Sequence, residues 1–210
     1  MKRTFFILFL IAISAAFSSA QAAEKGVKIV KQPVKLIQRS FDPKNPPKDM
    51  PKLTPPEIAL CEGRFEIRTS VRGMSSPPEN EYSKLTVTAV EAELKLTVTI
   101  WLPHKANKTI IEHENGHREI NEHFYNQADR IAREVATPYI GQEMEIRGRD
   151  MDKAMTEAFR KINSEILTKY NARMPTEAAQ SRFDAITDHG RKPIPVPEAV
   201  KQALAETKKE

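Results

Sequence analysis

Cysteine is almost absent from this 210-residue chain, which has Cys61 alone. No intrachain disulfide can form, so a packed core must hold the fold, and a chain of this length can bury one of sufficient size. A free cysteine usually behaves as a small buried apolar residue, and we expect that role for Cys61. No cysteine stands directly after the N-terminal apolar run, which argues against a lipid anchor there.

Apolar runs long enough to cross a membrane are also missing. The longest apolar run, Phe5 to Phe17, is far shorter than the roughly 20 residues that a transmembrane helix needs. Lys2 and Arg3 precede it, and Ala20-Gln21-Ala22 follows it. This pattern is typical of a signal peptide over residues 1–22. We therefore expect a periplasmic or secreted protein with no stable membrane insertion after cleavage.

A dense stripe of basic residues is the third missing feature. The formal net charge is +5 for the whole chain and +3 once residues 1–22, with Lys2 and Arg3, are removed. Proteins that bind nucleic acid normally cluster their basic residues on one face or along one helix. The spread of charge and the expected export both exclude a nucleic-acid partner.

The proline content divides the remaining chain into an arm, a domain and a tail. Residues 23–59 contain seven prolines, which leave little room for a helix or a central strand. We predict one short strand near Val27 to Ile37 and then an extended arm. Residues 60–191 are predicted to form the folded domain, and residues 192–210 a charged tail with at most one amphipathic turn.

Within the domain, strands precede helices. Apolar and polar residues alternate around residues 65–69, 85–89 and 94–102, which indicates half-buried strands. We expect an α+β fold with a small, mostly antiparallel sheet that ends at Pro103. A second helix is predicted at about residues 143–170, and a short one at about residues 176–186.

The first helix has the clearest pattern. Apolar residues and histidines recur at steps of three and four, which defines one inward face: Ile110, His113, His117, Ile120, Phe124, Ala128, Ile131 and Val135. Asn107 is predicted to cap the start of this helix, and Pro138 and Gly141 to end it.

Residues 113–117 read His-Glu-Asn-Gly-His. On a helix, His113 and His117 lie one turn apart on one face, so both imidazoles can bind one zinc ion. Glu114 lies about 100° round the helix, where its carboxylate can take a proton from a water molecule on the zinc. The alternative without a metal is two buried core histidines, which would each need a separate hydrogen-bond partner.

A catalytic zinc site needs a third protein ligand, and four residues are candidates. His123 completes the spacing of metzincins, but Ile120 replaces their glycine, so on a straight helix His123 lies about 9 Å beyond His117 and roughly 120° round. Glu143 and Glu145 begin the next predicted helix, as a gluzincin ligand would. His189 precedes Gly190, which permits a tight turn that would aim a neighbouring side chain inward, although a surface histidine at the helix end has the same pattern.

The chain resembles the bacterial family catalogued as domain of unknown function 922 over roughly residues 60–191. The resemblance is carried by the strand ending in Ile100-Trp101-Leu102-Pro103, the His113–His117 motif, and Phe183-Asp184 with Thr187-Asp188-His189-Gly190. Members of that family are exported and are thought to be zinc-dependent proteases. The resemblance implies an exported protease and supports His189 as a ligand.

The sequence thus predicts a zincin-like metallopeptidase in the cell envelope, with zinc on His113, His117 and His189 and with Glu114 as general base. Its partner would be a peptide or protein substrate, held by strand addition on the strand that ends at Leu102. Two alternatives stay open: a non-catalytic envelope binding protein that keeps a zincin-like scaffold, and a different metal-assisted hydrolysis, such as amide cleavage in cell-wall peptides.

Overall fold

The computed structural model describes residues 26–207, so the predicted signal peptide lies outside the described residues. Strands and helices are mixed in one α/β fold. The elements are β1 (Gly26–Lys31), β2 (Lys35–Phe41), β3 (Leu60–Ser75), β4 (Tyr82–Pro103), α1 (Lys108–Ala136), a 3-10 turn (Thr137–Tyr139), β5 (Glu143–Arg147), α2 (Met151–Ala172), α3 (Thr176–Thr187) and α4 (Val196–Thr207).

Strand β4 is the centre of the sheet, because each of the other four strands pairs with it. β3 runs antiparallel along one side. On the other side, β5, β1 and β2 follow one another along its length, with β5 antiparallel and β1 and β2 parallel. Alternate β4 side chains such as Leu94, Leu96 and Val98 are fully buried, as the alternation in the sequence predicts.

The expectation of a mostly antiparallel sheet was wrong, because β1 and β2 run parallel to β4. Both strands come from the proline-rich arm, for which we predicted one short strand. Pro33 lies in the link between them, where no ladder hydrogen bond is lost. The predicted strands at 85–89 and 94–102 are parts of the single strand β4.

Helix α1 packs its inward face against the sheet. Asn107 caps it by accepting a hydrogen bond from the Ile110 amide, and the helix ends before Pro138, both as predicted. Tyr125, Ala128 and Ile131 are buried in the core that α1 shares with β4 and α2. The Tyr125 hydroxyl also reaches the carbonyls of Gln32 and Leu94, which ties α1 to the sheet.

A second, smaller core lies on another part of α1 and is closed by α3 and α4. Its buried members are Ile120, Phe124, Ala179, Phe183, Ala199, Val200 and Ala203. The predicted C-terminal tail therefore contains the packed helix α4. The prolines of that segment permit this, because Pro197 stands in the first turn of α4, where proline costs no hydrogen bond.

The second predicted helix starts later than expected. Residues 143–147 form β5, and α2 begins at Met151 with Asp150 as its N-cap. Glu143 and Glu145 consequently lie on a strand paired with β4 and not at the start of a helix. Gly148, at a φ of 157°, lies between the strand and the helix.

Candidate metal centre

Three side-chain atoms from α1 and α3 converge on one point. The Nε2 atoms of His113 and His117 lie 3.2 Å apart, and Asp184 Oδ1 lies 3.2 Å from the first and 3.1 Å from the second. A tetrahedral zinc ion with bonds of about 2.0–2.1 Å holds its ligand atoms about 3.3 Å apart. The three atoms therefore form a triangle of the size that a metal ion requires, and the group can hold one.

Helix α3 reaches this position because α1 carries a glycine there. A Cβ on Gly116 would collide with Phe183 Cζ and lie 2.9 Å from Val196 Cγ1. The missing side chain lets the Phe183 ring settle against both histidines, stacked on His113 at 5.0 Å and edge-on to His117 at 4.9 Å. Phe183 is fully buried, which stabilises the docking by about 1.5–3 kcal/mol.

The turn after α3 closes over His113. Asp188, His189 and Gly190 all have positive φ angles, which non-glycine residues adopt rarely. A Cβ on Gly190 would lie 3.1 Å from His113 Cγ, so the glycine backbone rests against the imidazole. The His113 ring is therefore held between Phe183 and Gly190.

The electrostatics of the triangle favour an ionised carboxylate. Burial acts to raise the pKa of Asp184, but hydrogen bonds from His113 and His117 outweigh it and hold that pKa well below its usual range. Burial acts to lower the pKa of His117, yet the hydrogen bond and charge of Asp184 raise it above its ordinary value. Three lone-pair donors this close need a proton or a metal cation between them.

Glu114 lies next to the triangle with unused hydrogen-bonding capacity. The residue is 4% exposed, and its Oε2 atom has no hydrogen-bond partner among residues 26–207. Burial raises the pKa of this carboxyl to about 7; the positive charge of His117 opposes the shift and the charge of Asp184 adds to it. A buried carboxyl with a pKa near neutrality can both take up and release a proton.

A groove of about 1130 Å³ gives access to these side chains. Residues 57–65, which lead into β3 and form its first part, line it together with α1 and the start of α3. Within residues 26–207, β3 pairs only with β4, so its other edge is unpaired along the groove. The strand that ends at Leu102 is central and is not the edge that we expected.

The four candidates for a third ligand lie at different places. His123 contacts Gln127 one turn further along α1, and Glu143 and Glu145 are exposed on β5, so none of these three lies at the triangle. His189 does reach the site, since its Nδ1 atom lies 3.6 Å from Asp184 Oδ1. The atom within ligand distance of both histidines, however, belongs to Asp184.

Asp184 belongs to the Phe183-Asp184 pair of the sequence but was not among the predicted ligands. Within α3, Gln180, Phe183, Asp184 and Thr187 recur at helical spacing, and Phe183 and Thr187 are fully buried. The available signal was an acidic residue beside the large apolar Phe183 within a predicted helix, because a carboxylate on a buried helix face needs a partner.

Cys61 lines the groove and is half-buried. Burial, followed by the negative charge of Glu114, strongly raises the pKa of its thiol. The thiol is therefore protonated at neutral pH, and the reactive thiolate is suppressed.

Comparisons of the chain with models of protein families, with curated proteins and with solved structures gave no match. Among residues 26–207, no helix has both the length and the apolar character that a membrane span requires. The functional conclusion therefore depends on the chemistry of the site itself.

Proposed function

We propose that this protein is an exported, zincin-like metallopeptidase that hydrolyses peptide bonds at the His113–His117–Asp184 centre. The observation that carries the proposal is the combination of a metal-sized triangle of ligand atoms with the buried, unpartnered Oε2 of Glu114 beside it. A structural metal site would need no such carboxyl, since its four positions are closed by ligands.

Two imidazoles and one carboxylate make a donor set that suits zinc. Three protein ligands with a fourth position open is the arrangement of catalytic zinc sites. Zinc in such a site polarises a carbonyl and lowers the pKa of a water molecule to about 7. We assign the third ligand to Asp184, with His189 beside it, instead of to His189 as the sequence suggested.

Glu114 is the general base and then the general acid of the proposed reaction. Its carboxylate takes a proton from the attacking water, whose oxygen bonds to the peptide carbonyl carbon. As the C–N bond breaks, Glu114 passes that proton to the leaving amine. A pKa of about 7 suits both directions of transfer, since the best catalytic pKa lies near the working pH.

A peptide fits the groove better than a small molecule does. The unpaired edge of β3 presents backbone donors and acceptors along the groove, which an extended peptide can pair with as an added strand. Export of the chain, predicted from residues 1–22, would place the reaction in the periplasm or outside the cell. The resemblance to the domain of unknown function 922 family agrees with both proposals.

Glu114→Gln separates an enzyme from a binding scaffold. The variant keeps the size of the side chain but loses the basic carboxylate, so bound zinc should stay near one per chain. Hydrolysis of a broad mixture of unstructured peptides should fall by roughly 10²–10⁴-fold, as expected for the loss of a general base. Glu112→Gln, an exposed position on the same helix, is the matched control and should keep full activity.

Zinc-loaded wild-type protein that leaves every peptide of the mixture intact would overturn the peptidase proposal in favour of the envelope binding protein. Cleavage of cell-wall peptides alone would favour the other metal-assisted hydrolysis. Turnover by Glu114→Gln at the wild-type rate would show that this carboxyl is not the base.

A further inference from the structure

Gln180 contacts His117 at two separate points. The amide oxygen of Gln180 lies 2.5 Å from His117 Nδ1, and its amide nitrogen donates a hydrogen bond to the His117 backbone carbonyl at 3.0 Å. Gln180 lies on α3, one turn before Asp184. Helix α3 therefore supplies the candidate ligand Asp184 and also the side chain that contacts the candidate ligand His117.

These two contacts together fix which way the amide of Gln180 points. The His117 carbonyl can only accept a hydrogen bond, so the atom that faces it must be the amide nitrogen. The remaining amide atom, at His117 Nδ1, is then the oxygen, which can only accept. His117 Nδ1 must consequently carry the proton, and in the neutral ring the lone pair is on Nε2.

That Nε2 lone pair is the one that faces His113 and Asp184 in the triangle. The Nδ1 atom of His113, in contrast, is buried and has no hydrogen-bond partner in the described part of the chain. Its ring is held by Phe183 and Gly190. The two histidines are thus oriented by different means: the His117 ring has a hydrogen-bond partner at Nδ1, whereas the His113 ring is held at that side by packing. Partners of this kind raise metal affinity by fixing the tautomer and the ring angle of a ligand.

We propose that Gln180 is a positioning residue of the metal centre, which holds His117 in the tautomer and ring angle that present Nε2 to the ion. This inference rests on the metal site of the proposed function. Asn121 also donates to the His117 carbonyl, at 3.1 Å, so the backbone of His117 keeps one partner when Gln180 is changed. The Nδ1 contact has no such substitute among residues 26–207.

Two variants separate the contacts. Gln180→Met keeps the length of the side chain and removes both hydrogen bonds. Gln180→Glu keeps an oxygen that can accept from Nδ1–H but cannot donate to the carbonyl. Gln127→Met is the control, because Gln127 contacts a histidine of the same helix, His123, away from the site.

The measurements are Zn²⁺ affinity by chelator competition, the His117 Nδ1–H resonance in the zinc-loaded protein, and thermal unfolding of the metal-free protein. We expect Gln180→Met to lower Zn²⁺ affinity by about 10–100-fold and to lose the slowly exchanging Nδ1–H signal. Gln180→Glu should recover the signal and most of the affinity. Gln127→Met should bind as the wild type does.

Wild-type affinity and an intact Nδ1–H signal in Gln180→Met would overturn the positioning role while the metal site itself stood. Equal losses of affinity in both Gln180 variants, matched by equal losses of metal-free stability, would show a merely structural role and overturn it too. A wild-type protein that binds no Zn²⁺ would instead reject the proposed function on which the inference rests.

Discussion

At the scale of single residues, Asp184 and His189 are the two candidates for the third metal ligand. Asp184 Oδ1 is within 3.2 Å of both histidine nitrogens, whereas His189 contacts that carboxylate from 3.6 Å. We expect Asp184→Ala to reduce Zn²⁺ affinity by more than the 10–100-fold typical of an outer contact. His189→Ala should reduce Zn²⁺ affinity less than Asp184→Ala does, and His123→Ala should leave it nearly unchanged.

Zn²⁺ competition with a chromophoric chelator gives these affinities directly. Glu177→Ala is a suitable control, since Glu177 is an exposed acid of α3 that also lines the groove. If His189→Ala removed the metal and Asp184→Ala kept it, the ligand set predicted from the sequence would be correct and the one proposed from the geometry would not.

The residues that the sequence predicted well are those linked by local spacing. His113 and His117 are four residues apart on one helix, so helix geometry alone brings them together. Asp184 is on another helix, and its position depends on how α3 docks. That docking depends on Gly116 and Phe183. Their contact joins two helices that are distant in the sequence, so no local pattern predicts it.

The secondary-structure elements differ in how well the sequence predicted them. Helix α1 follows from a long periodic pattern, whereas β4 was predicted as two separate strands at residues 85–89 and 94–102. The strands β1 and β2 were obscured by the prolines around them. Short strands such as β5 (Glu143–Arg147) carry too few residues for a clear alternation. Their existence depends on pairing with β4, which the sequence of the short strand does not encode by itself.

At the scale of elements, a substitution at Gly116 tests how closely α3 packs against α1. In an isolated helix, Gly→Ala stabilises by about 1 kcal/mol. Here the new methyl group would overlap Phe183 and Val196, and such overpacking costs about 1–3 kcal/mol. We expect Gly116→Ala to lower both the free energy of unfolding, measured in urea, and the Zn²⁺ affinity.

Glu112→Ala is the control for this experiment, because Glu112 is exposed on the same helix and should change stability by little. The double variant Gly116→Ala/Phe183→Leu relieves part of the overlap, so its loss should be smaller than the sum of the single losses. A stabilised Gly116→Ala protein with unchanged Zn²⁺ affinity would contradict the close packing of α1 and α3.

The C-terminal segment matters for the molecule as a whole. Ala199 and Ala203 of α4 are fully buried against the core that contains Phe183. Removing residues 192–210 would expose that core, so we expect a clear fall in melting temperature and weaker Zn²⁺ binding. Removing residues 208–210 alone is the control and leaves α4 intact. An unchanged melting temperature after the longer deletion would restore the description of this segment as a charged tail outside the folded domain.

The central place of β4 also has a consequence for the order in which the chain folds. β3 and β4 are separated by a short turn, whereas β1 and β2 pair with residues of β4 roughly sixty positions away in the sequence. Because closing a long loop costs more entropy, distant pairs form late. In pulsed hydrogen exchange during refolding, we expect the amides of β3 and β4 to be protected before those of β1 and β2. β1 and β2 would then be synthesised before β4 and yet pair with it after β3 has done so.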